Sequence, residues 1–339
     1  MAKMRAMIVP EPGQPFRMEE RDLPEPGPHE VRIRVQACGV CHSDALTVEG
    51  QFPGIRYPRV PGHEVIGVID ALGPDVAGWA VGARVGVGWF GGSCGTCRHC
   101  RRHNAFACEI SLGTTGVSRD GGYATHMLAE VSALAHVPEA LDPVQSAPLL
   151  CAGITTFNAL RNCGAGPGDL VAIHGVGGLG HLGIQYAAHQ GFRTVAVNRG
   201  RDKEALARSL GAHDYIDSDA TDPAAALQAM GGAKAIIATV TSAPAMQAIA
   251  GGLGVNGTLM VIGAVGVLTV NSLDMLLKRA AVRGWYAGTA ADSEDTLAFS
   301  QLNDIASMNE VYPLAQAQAA YDRMMSGKAR FRVVLQMEG

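Results

Sequence analysis

The sequence predicts an α/β protein with two domains, and three observations support this fold class. The chain has 339 residues, which exceeds what one ordinary hydrophobic core serves. Before Cys151, short apolar runs are separated by proline and glycine turns, a pattern typical of a small β-barrel or sandwich. From Gly168 onward, apolar strands alternate with helical patterns, which predicts a doubly wound parallel sheet.

The β-rich domain is predicted from alternating apolar and polar residues and from turn-forming residues between them. Apolar and arginine residues alternate over Val31–Val35, as expected for a strand with one buried face. The proline-rich stretch 24–28 precedes this run, and a second apolar run follows at 65–69. We assign residues 1–152 and 290–339 to this domain and residues 153–289 to the doubly wound domain.

The doubly wound domain is predicted from its repeating order of strand and helix. The predicted strands are 170–174, 194–198, 215–217, 233–238, 257–262 and 282–285. The predicted helices are 179–190, 202–210, a helix near 223–230 and another near 244–250.

Composition excludes several classes of function. A net charge of -4 and a pI near 6.3 give no electrostatic footprint for nucleic acid or an anionic membrane. The N-terminal sequence lacks the long apolar run of a secretory signal, and no apolar stretch reaches the roughly 18 residues of a transmembrane helix. We therefore expect a cytoplasmic protein that acts on a small molecule.

A glycine-rich turn indicates a dinucleotide site. The G-x-G-x-x-G pattern follows an apolar strand and opens a helix, which is the context that this motif requires. Its glycines let the backbone approach a pyrophosphate, and the helix N-terminus supplies N–H donors. The alternative is a tight turn that binds no ligand. The predicted cofactor-binding residues are Gly175, Gly177, Gly178, Leu179 and Gly180.

The end of the second strand of this domain favours NADP(H) over NAD(H). An acidic residue at this position would bind the ribose 2′-hydroxyl, whereas a nearby arginine suits a 2′-phosphate. Here Asn198 takes the place of the acid, and Arg199, Arg201 and Lys203 follow. Arginine pairs with phosphate through two hydrogen bonds, so we predict NADP(H). The alternative is that these cations only form a solvated loop and helix start.

Four clustered cysteines predict a structural metal. The first three have the spacing of a zinc knuckle, and the fourth lies further along the chain, far enough to fold back onto them; the four are Cys94, Cys97, Cys100 and Cys108. Four thiolates in a tetrahedron suit zinc, and a closed site of this kind is structural. The rivals are an iron–sulfur cluster, whose common bacterial spacing Cys108 does not fit, and disulfides or idle thiols.

Three further residues have the composition of an open zinc site. Cys41, His63 and Cys151 form a Cys2His set, which in catalytic sites leaves a fourth position free. Spacing alone cannot join ligands so far apart, and a lone buried cysteine such as Cys151 is more often part of a core.

The ordered motifs along the chain resemble those of the zinc-containing medium-chain alcohol dehydrogenases, in particular the yeast-type and cinnamyl-type branches. The motifs are GVCHSD, PGHE, the four-cysteine segment, CAGITT, GVGGLGHLG and GKARFRVV. The resemblance implies a GroES-like β-barrel catalytic domain with a structural zinc lobe at about residues 91–110. It also implies a Rossmann domain, with the active site in the cleft between the two.

The resemblance assigns a role to each matching residue. Cys41, His63 and Cys151 would hold a catalytic zinc, with Glu64 beside it as an alternate ligand, and the four clustered cysteines would hold a second zinc. Ser43 would hydrogen-bond the substrate oxygen, and Asp44 would orient His63. By the same resemblance, His42 and Arg332 would contact cofactor phosphate, and Thr155 would pack against the nicotinamide. Phe52 and Trp89 would line the substrate pocket, although these two aromatics could equally be ordinary core.

The implied reaction is reversible hydride transfer between a primary aliphatic or aromatic alcohol and a nicotinamide dinucleotide, through an alkoxide on the catalytic zinc. Relatives form homodimers or homotetramers, so we expect a homo-oligomer. One position departs from the pattern, because Leu46 stands where many relatives have the histidine that ends the proton relay. The alternatives are a zinc-independent enone or quinone reductase on the same fold and a non-catalytic protein stabilised by zinc.

Overall fold

The computed structural model describes residues 2–337, which divide into two compact units. Unit 1 runs up to Ile154 and resumes at Ala287, and unit 2 is the continuous stretch Thr155–Tyr286. None of the helices in the described range is both long and apolar enough to cross a membrane.

Strands and helices follow one another along both units. The strands are β1 Lys3–Ile8, β2 Arg17–Asp22, β3 Glu30–Val40, β4 Val65–Leu72, β5 Arg84–Val87, β6 His126–Glu130, β7 Leu134–His136, β8 Leu170–His174, β9 Arg193–Asn198, β10 Asp214–Asp217, β11 Ala233–Ala238, β12 Leu253–Val261, β13 Ala281–Gly284, β14 Asn309–Pro313 and β15 Arg332–Gln336. The α-helices are α1 Ala45–Val48, α2 Pro143–Ser146, α3 Ala152–Arg161, α4 Gly180–His189, α5 Glu204–Ser209, α6 Pro223–Ala229, α7 Ala243–Ala250, α8 Ser272–Lys278, α9 Ala290–Leu302 and α10 Ala317–Met325.

Unit 1 is built on a mainly antiparallel sheet with the long strand β3 near its centre. The order among the described residues is β14-β15-β3-β4-β5-β7, and β6 also pairs with β3. Apolar residues of β3 such as Ile33 and Val35 are buried, whereas Arg34 between them is exposed. This alternation places one face of the strand on the core, as the sequence predicts.

Unit 2 is a parallel sheet with the order β10-β9-β8-β11-β12-β13. All five residues of the central strand β8 are buried, as expected for a strand covered on both faces. Helix starts are capped by short polar side chains, for example Asp222 at α6 and Ser242 at α7. The predicted α/β class is confirmed.

Two local features of unit 2 differ from the sequence prediction. β12 begins at Leu253, earlier than the predicted strand at 257–262. Its first half contains the exposed Val255, Asn256 with a positive φ, and a register shift against β11, so apolar alternation does not mark it. The second difference is helix α8, which was not predicted. Its leucines are exposed in the chain, so the sequence lacks the apolar stripe of a helix that packs on a core.

Candidate functional site

Four side chains of types that can bind a metal converge in unit 1 from distant parts of the sequence. Cys41, His63, Glu64 and Cys151 each offer one ligand atom, and these atoms lie within 4.8 Å of one another. The Sγ atoms of Cys41 and Cys151 are 3.7 Å apart. This separation fits two thiolates on one tetrahedral zinc, for which Zn–S bonds of about 2.3 Å place sulfur atoms roughly 3.8 Å apart.

The register of two strands brings the first three of these residues together. β3 and β4 pair antiparallel with Cys38 opposite Val65. Cys41 directly follows β3, and His63 and Glu64 directly precede β4, so the three side chains lie at one end of the strand pair. Cys151 joins them from the short 3-10 helix Ala147–Leu150, which contacts β3 and β4.

Asp44 fixes the orientation of the His63 imidazole. Its Oδ1 lies 3.1 Å from His63 Nδ1, and both side chains are almost fully buried. A carboxylate only accepts, so Nδ1 donates, and in the neutral ring Nε2 is the nitrogen with a lone pair for a metal. Nε2 is buried and makes no hydrogen bond of normal geometry with any residue between 2 and 337. A buried imidazole nitrogen of this kind beside two thiols fits a zinc ligand.

Charge in this site is set by burial and by close neighbours. The hydrogen bond from Cys151 and the nearby His63 lower the pKa of the Cys41 thiol well below its usual value, so it ionises readily. Burial opposes the charged form of His63, yet the Asp44 carboxylate raises its pKa well above normal. Burial raises the pKa of Glu64 to about 8, and the guanidinium of Arg332, which donates to this carboxylate, works in the opposite direction.

Aromatic side chains cover one side of the same site. The ring of Trp89 stands edge to face against His63, with centroids 4.9 Å apart. Phe52 packs edge to face on Trp89 at 6.5 Å and is partly exposed. Ser43 follows Cys41 by two positions and is half-buried, and His42 between them is exposed. Of the two predicted pocket residues, Trp89 therefore contacts His63 and Phe52 contacts Trp89, and their roles stay predictions.

The four clustered cysteines also form a compact group. Sulfur–sulfur distances of 3.9, 3.5 and 3.5 Å link Cys94, Cys97, Cys100 and Cys108, which fits the roughly 3.8 Å of a tetrahedral zinc thiolate site. Backbone N–H groups of Cys97 and Ser111 donate to sulfur in this group. Such backbone hydrogen bonds lower the pKa of Cys94, Cys97 and Cys108 and favour the thiolate form that binds metal.

Known proteins share this architecture over almost the whole chain. Residues 27–139 match the family of alcohol dehydrogenase GroES-like domains, and residues 178–302 match the zinc-binding dehydrogenases. The chain is 42% identical over 333 residues to alcohol dehydrogenase notN of Aspergillus sp. (strain MF297-2), which covers 98% of this chain and 97% of the relative. It is 35% identical over 338 residues to an alcohol dehydrogenase of Geobacillus stearothermophilus, covering 99% of both. The chain belongs to the zinc-containing medium-chain alcohol dehydrogenase family.

Solved structures of alcohol dehydrogenases have the same fold. A cobalt- and zinc-bound thermostable alcohol dehydrogenase from Pyrobaculum aerophilum superposes with a TM-score of 0.88 at 27% identity and covers 99% of this chain and 100% of its own. The CAD of Helicobacter pylori, complexed with NADP(H), gives a TM-score of 0.86 at 26% identity and covers 98% of each chain. Family membership and the complete cysteine and histidine set favour a zinc alcohol dehydrogenase over a zinc-independent enone or quinone reductase.

In this alcohol dehydrogenase chain, the predicted dinucleotide turn joins β8 to α4 in unit 2. A Cβ on Gly180 would lie 1.7 Å from the carbonyl oxygen of Gly175, and Gly175 has a φ of +100°, so both positions require glycine. Val176 N donates to Asn198 Oδ1 (3.1 Å), and Lys203 Nζ donates to Val176 O (2.6 Å). The end of β9 is therefore tied to the glycine turn.

The predicted phosphate-binding cations have different surroundings. Arg199 and Arg201 are exposed just after β9, and Arg201 pairs with Glu204 at 2.6 Å. Arg332 is almost fully buried and donates to Glu64. Thr155 is buried in α3. Their contacts with a cofactor stay predictions.

Sequence reasoning missed one buried partner of the site. Tyr123 is fully buried, and its hydroxyl donates to Asp44 Oδ2 at 2.9 Å. The only local signal was the pair of glycines directly before it, which allows close backbone approach but does not identify a partner.

Proposed function

We propose that the protein catalyses reversible hydride transfer between a primary alcohol, aliphatic or aromatic, and NADP(H). The observation that carries this proposal is the convergence of Cys41, His63 and Cys151, where the buried Nε2 of His63 makes no hydrogen bond of normal geometry within residues 2–337. A site of this composition leaves one position for the oxygen of a substrate. The proposal takes unit 1 as the catalytic domain and unit 2 as the dinucleotide-binding domain.

We propose that each chain binds two zinc ions. Cys41, His63 and Cys151 would hold the catalytic ion, with Glu64 as an alternate ligand, and the cluster Cys94–Cys108 would hold the structural one. Zinc bound at the first site supplies Lewis acidity, which lowers the pKa of an alcohol or polarises a carbonyl.

Side chains of unit 1 would orient the substrate and move its proton. Asp44 holds the His63 ring by a hydrogen bond, so Nε2 faces the thiols. Ser43 Oγ would accept the alcohol proton while its own hydroxyl proton passes toward solvent, because Leu46 offers no base. Trp89 and Phe52 would cover the reacting carbon and exclude water.

The cofactor assignment depends on the ends of β8 and β9. The glycine turn 175–180 lets a pyrophosphate approach the backbone at the start of α4. Arg199 and Arg201 carry exposed guanidinium groups beside Asn198, where a 2′-phosphate would accept from them. We further propose that Lys203, His42 and Arg332 contribute to phosphate binding and that Thr155 packs on the nicotinamide.

We also propose that the protein forms a homodimer or homotetramer. All four residues of the edge strand β13 are exposed in the chain. On the neighbouring helix α8, Leu273, Leu276 and Leu277 are 60%, 71% and 68% exposed. A second copy would cover this open edge and apolar patch, and light scattering after size-exclusion chromatography would show the oligomer.

Steady-state reduction of benzaldehyde tests the reaction. We expect NADPH to support it at least tenfold better than NADH, equivalent to about 1.4 kcal/mol, and a strong zinc chelator to abolish it. Cys41→Ala should lose turnover while staying folded, and Cys97→Ala should mainly lose stability. Full activity in Cys41→Ala would contradict the assignment.

A further inference from the structure

Tyr123 extends the hydrogen-bonded network of the metal site. We propose that Tyr123 is a positioning residue, whose hydroxyl fixes the Asp44 carboxylate and thereby holds His63 in its metal-binding orientation. This inference rests on the proposed catalytic metal site. Tyr123 Oη donates to Asp44 Oδ2 at 2.9 Å, and the opposite oxygen of the same carboxylate meets His63 Nδ1 at 3.1 Å.

Each oxygen of the Asp44 carboxylate has two donors. Oδ2 accepts from Cys41 N (2.9 Å) and Tyr123 Oη (2.9 Å), and Oδ1 accepts from His63 Nδ1 (3.1 Å) and Gly62 N (3.3 Å). Among the donors that the structure describes for this carboxylate, Tyr123 is the one from outside the two ligand-bearing segments. Without its hydroxyl, Oδ2 keeps one donor in a buried site, and the carboxylate gains freedom to rotate.

The backbone around Tyr123 braces the turn that leads into His63. Tyr123 N donates to Pro61 O, and Gly122 N donates to Gly62 O, both at 3.0 Å. A Cβ on Gly62 would lie 2.4 Å from Tyr123 Cδ1, so the ring packs directly against that glycine. The position of the hydroxyl is therefore set by the same contacts that set the position of His63.

The ring of Tyr123 also packs against another aromatic ring. Phe16 packs edge to face on it, with centroids 5.8 Å apart. Burial and the Asp44 carboxylate raise the pKa of Tyr123 well above its usual value, so the hydroxyl stays protonated and donates. Tyr123 is not one of the converging ligands, and it acts on the site through Asp44.

The chain supplies a matched control for removing this hydroxyl. Tyr321 also packs edge to face on Phe16, at 5.5 Å, and is nearly fully buried. Its hydroxyl makes no hydrogen bond with any of the residues described. Tyr123→Phe and Tyr321→Phe therefore each remove one buried hydroxyl from the same aromatic group, but only the first removes a donor to Asp44.

The test measures metal binding as well as turnover. For the full-length protein and both variants, the Kd for zinc at the catalytic site is obtained by chelator competition, and the site is then loaded with cobalt(II) to record its visible ligand-field bands. We expect Tyr123→Phe to raise the Kd about tenfold, to shift the cobalt bands and to lower kcat more than it raises KM. Tyr321→Phe should resemble the wild type in all three.

The outcomes separate this inference from the proposed function. A rise in Kd at least threefold larger than that of Tyr321→Phe, with displaced cobalt bands, supports the positioning role. A smaller rise, or bands that superpose on those of the wild type, overturns it while the proposed function stands. If Cys41→Ala binds as much zinc as the wild type, the catalytic metal site itself fails, and this inference fails with it.

Discussion

Arg332 and Glu64 are 268 positions apart in the sequence, yet Arg332 donates to the Glu64 carboxylate and both side chains are almost completely buried. Gly39 on β3 makes this approach possible, because a Cβ there would lie 1.8 Å from Glu64 Oε2. Removing Arg332 alone leaves the buried Glu64 carboxyl, whose charged form burial already disfavours, without its cation, which is more damaging than removing both partners.

We therefore predict that Arg332→Met lowers the free energy of unfolding by about 3–5 kcal/mol. The double variant Glu64→Gln with Arg332→Met should recover much of this loss, because no buried charge remains unpaired. Urea denaturation measures the free energy of unfolding of the single and the double variant. Arg323→Met is the matched control, since its pair with Glu310 is partly exposed and should contribute no more than about 1 kcal/mol. Equal losses in Arg332→Met and Arg323→Met would refute the argument.

A second prediction concerns acid sensitivity in unit 2. Burial lowers the pKa of His174 to about 4, whereas an unfolded histidine titrates near 6.5. Above both pKa values, His174 is neutral in the folded and in the unfolded state, so its titration does not change the free energy of unfolding. As the pH falls below about 6.5, only the unfolded state gains the proton, so stability is lost.

His174→Gln removes this titration. Between pH 7 and pH 5, we expect the wild type to lose about 2 kcal/mol more unfolding free energy than the variant, from the difference between the two pKa values. Chemical denaturation of both proteins at the two pH values gives the comparison. The same loss in both would mean that His174 is not held in its neutral form by burial.

Short-range motifs could be predicted from the sequence, and long-range pairing could not. The clustered cysteines and the glycine turn each lie within a few residues of their partners, so spacing alone predicts their geometry. Cys41 and His63 meet only because β3 and β4 pair in one register, and Cys151 joins them from the end of a 3-10 helix. No local pattern encodes that register, and the three ligands were identified through the family resemblance.

Buried polar contacts were the least predictable part of the site. Tyr123 reads as an ordinary core aromatic in the sequence, and only the fold brings its hydroxyl to Asp44. The resemblance assigned Arg332 to cofactor phosphate, and its contact with Glu64 emerges only when β15 pairs with β3. Each contact depends on the position of a side chain in the assembled sheet, which periodicity does not specify.

A third prediction tests the cofactor assignment. Replacing both Arg199 and Arg201 with alanine should raise the KM for NADPH about tenfold, because one charge-assisted phosphate contact is worth roughly 1.4 kcal/mol or more. The KM for NADH should stay within twofold of the wild-type value. Arg193→Ala is the control, as this exposed arginine on β9 pairs with Asp214 at the opposite end of the strand. A parallel rise in both KM values would show that the arginines do not read the 2′-phosphate.

The last prediction follows from Leu46, which is half-buried in α1, five positions after Cys41. An aliphatic side chain cannot relay the proton released during alcohol oxidation, so solvent and buffer must collect it. We expect kcat for alcohol oxidation in the wild type to rise with buffer concentration at constant ionic strength. Leu46→His should weaken this dependence, because an imidazole with a pKa near 6.5 accepts protons at neutral pH. Leu46→Met, which keeps the apolar volume without a base, should behave like the wild type. The same buffer dependence in the histidine variant and the wild type would mean that position 46 takes no part in proton release.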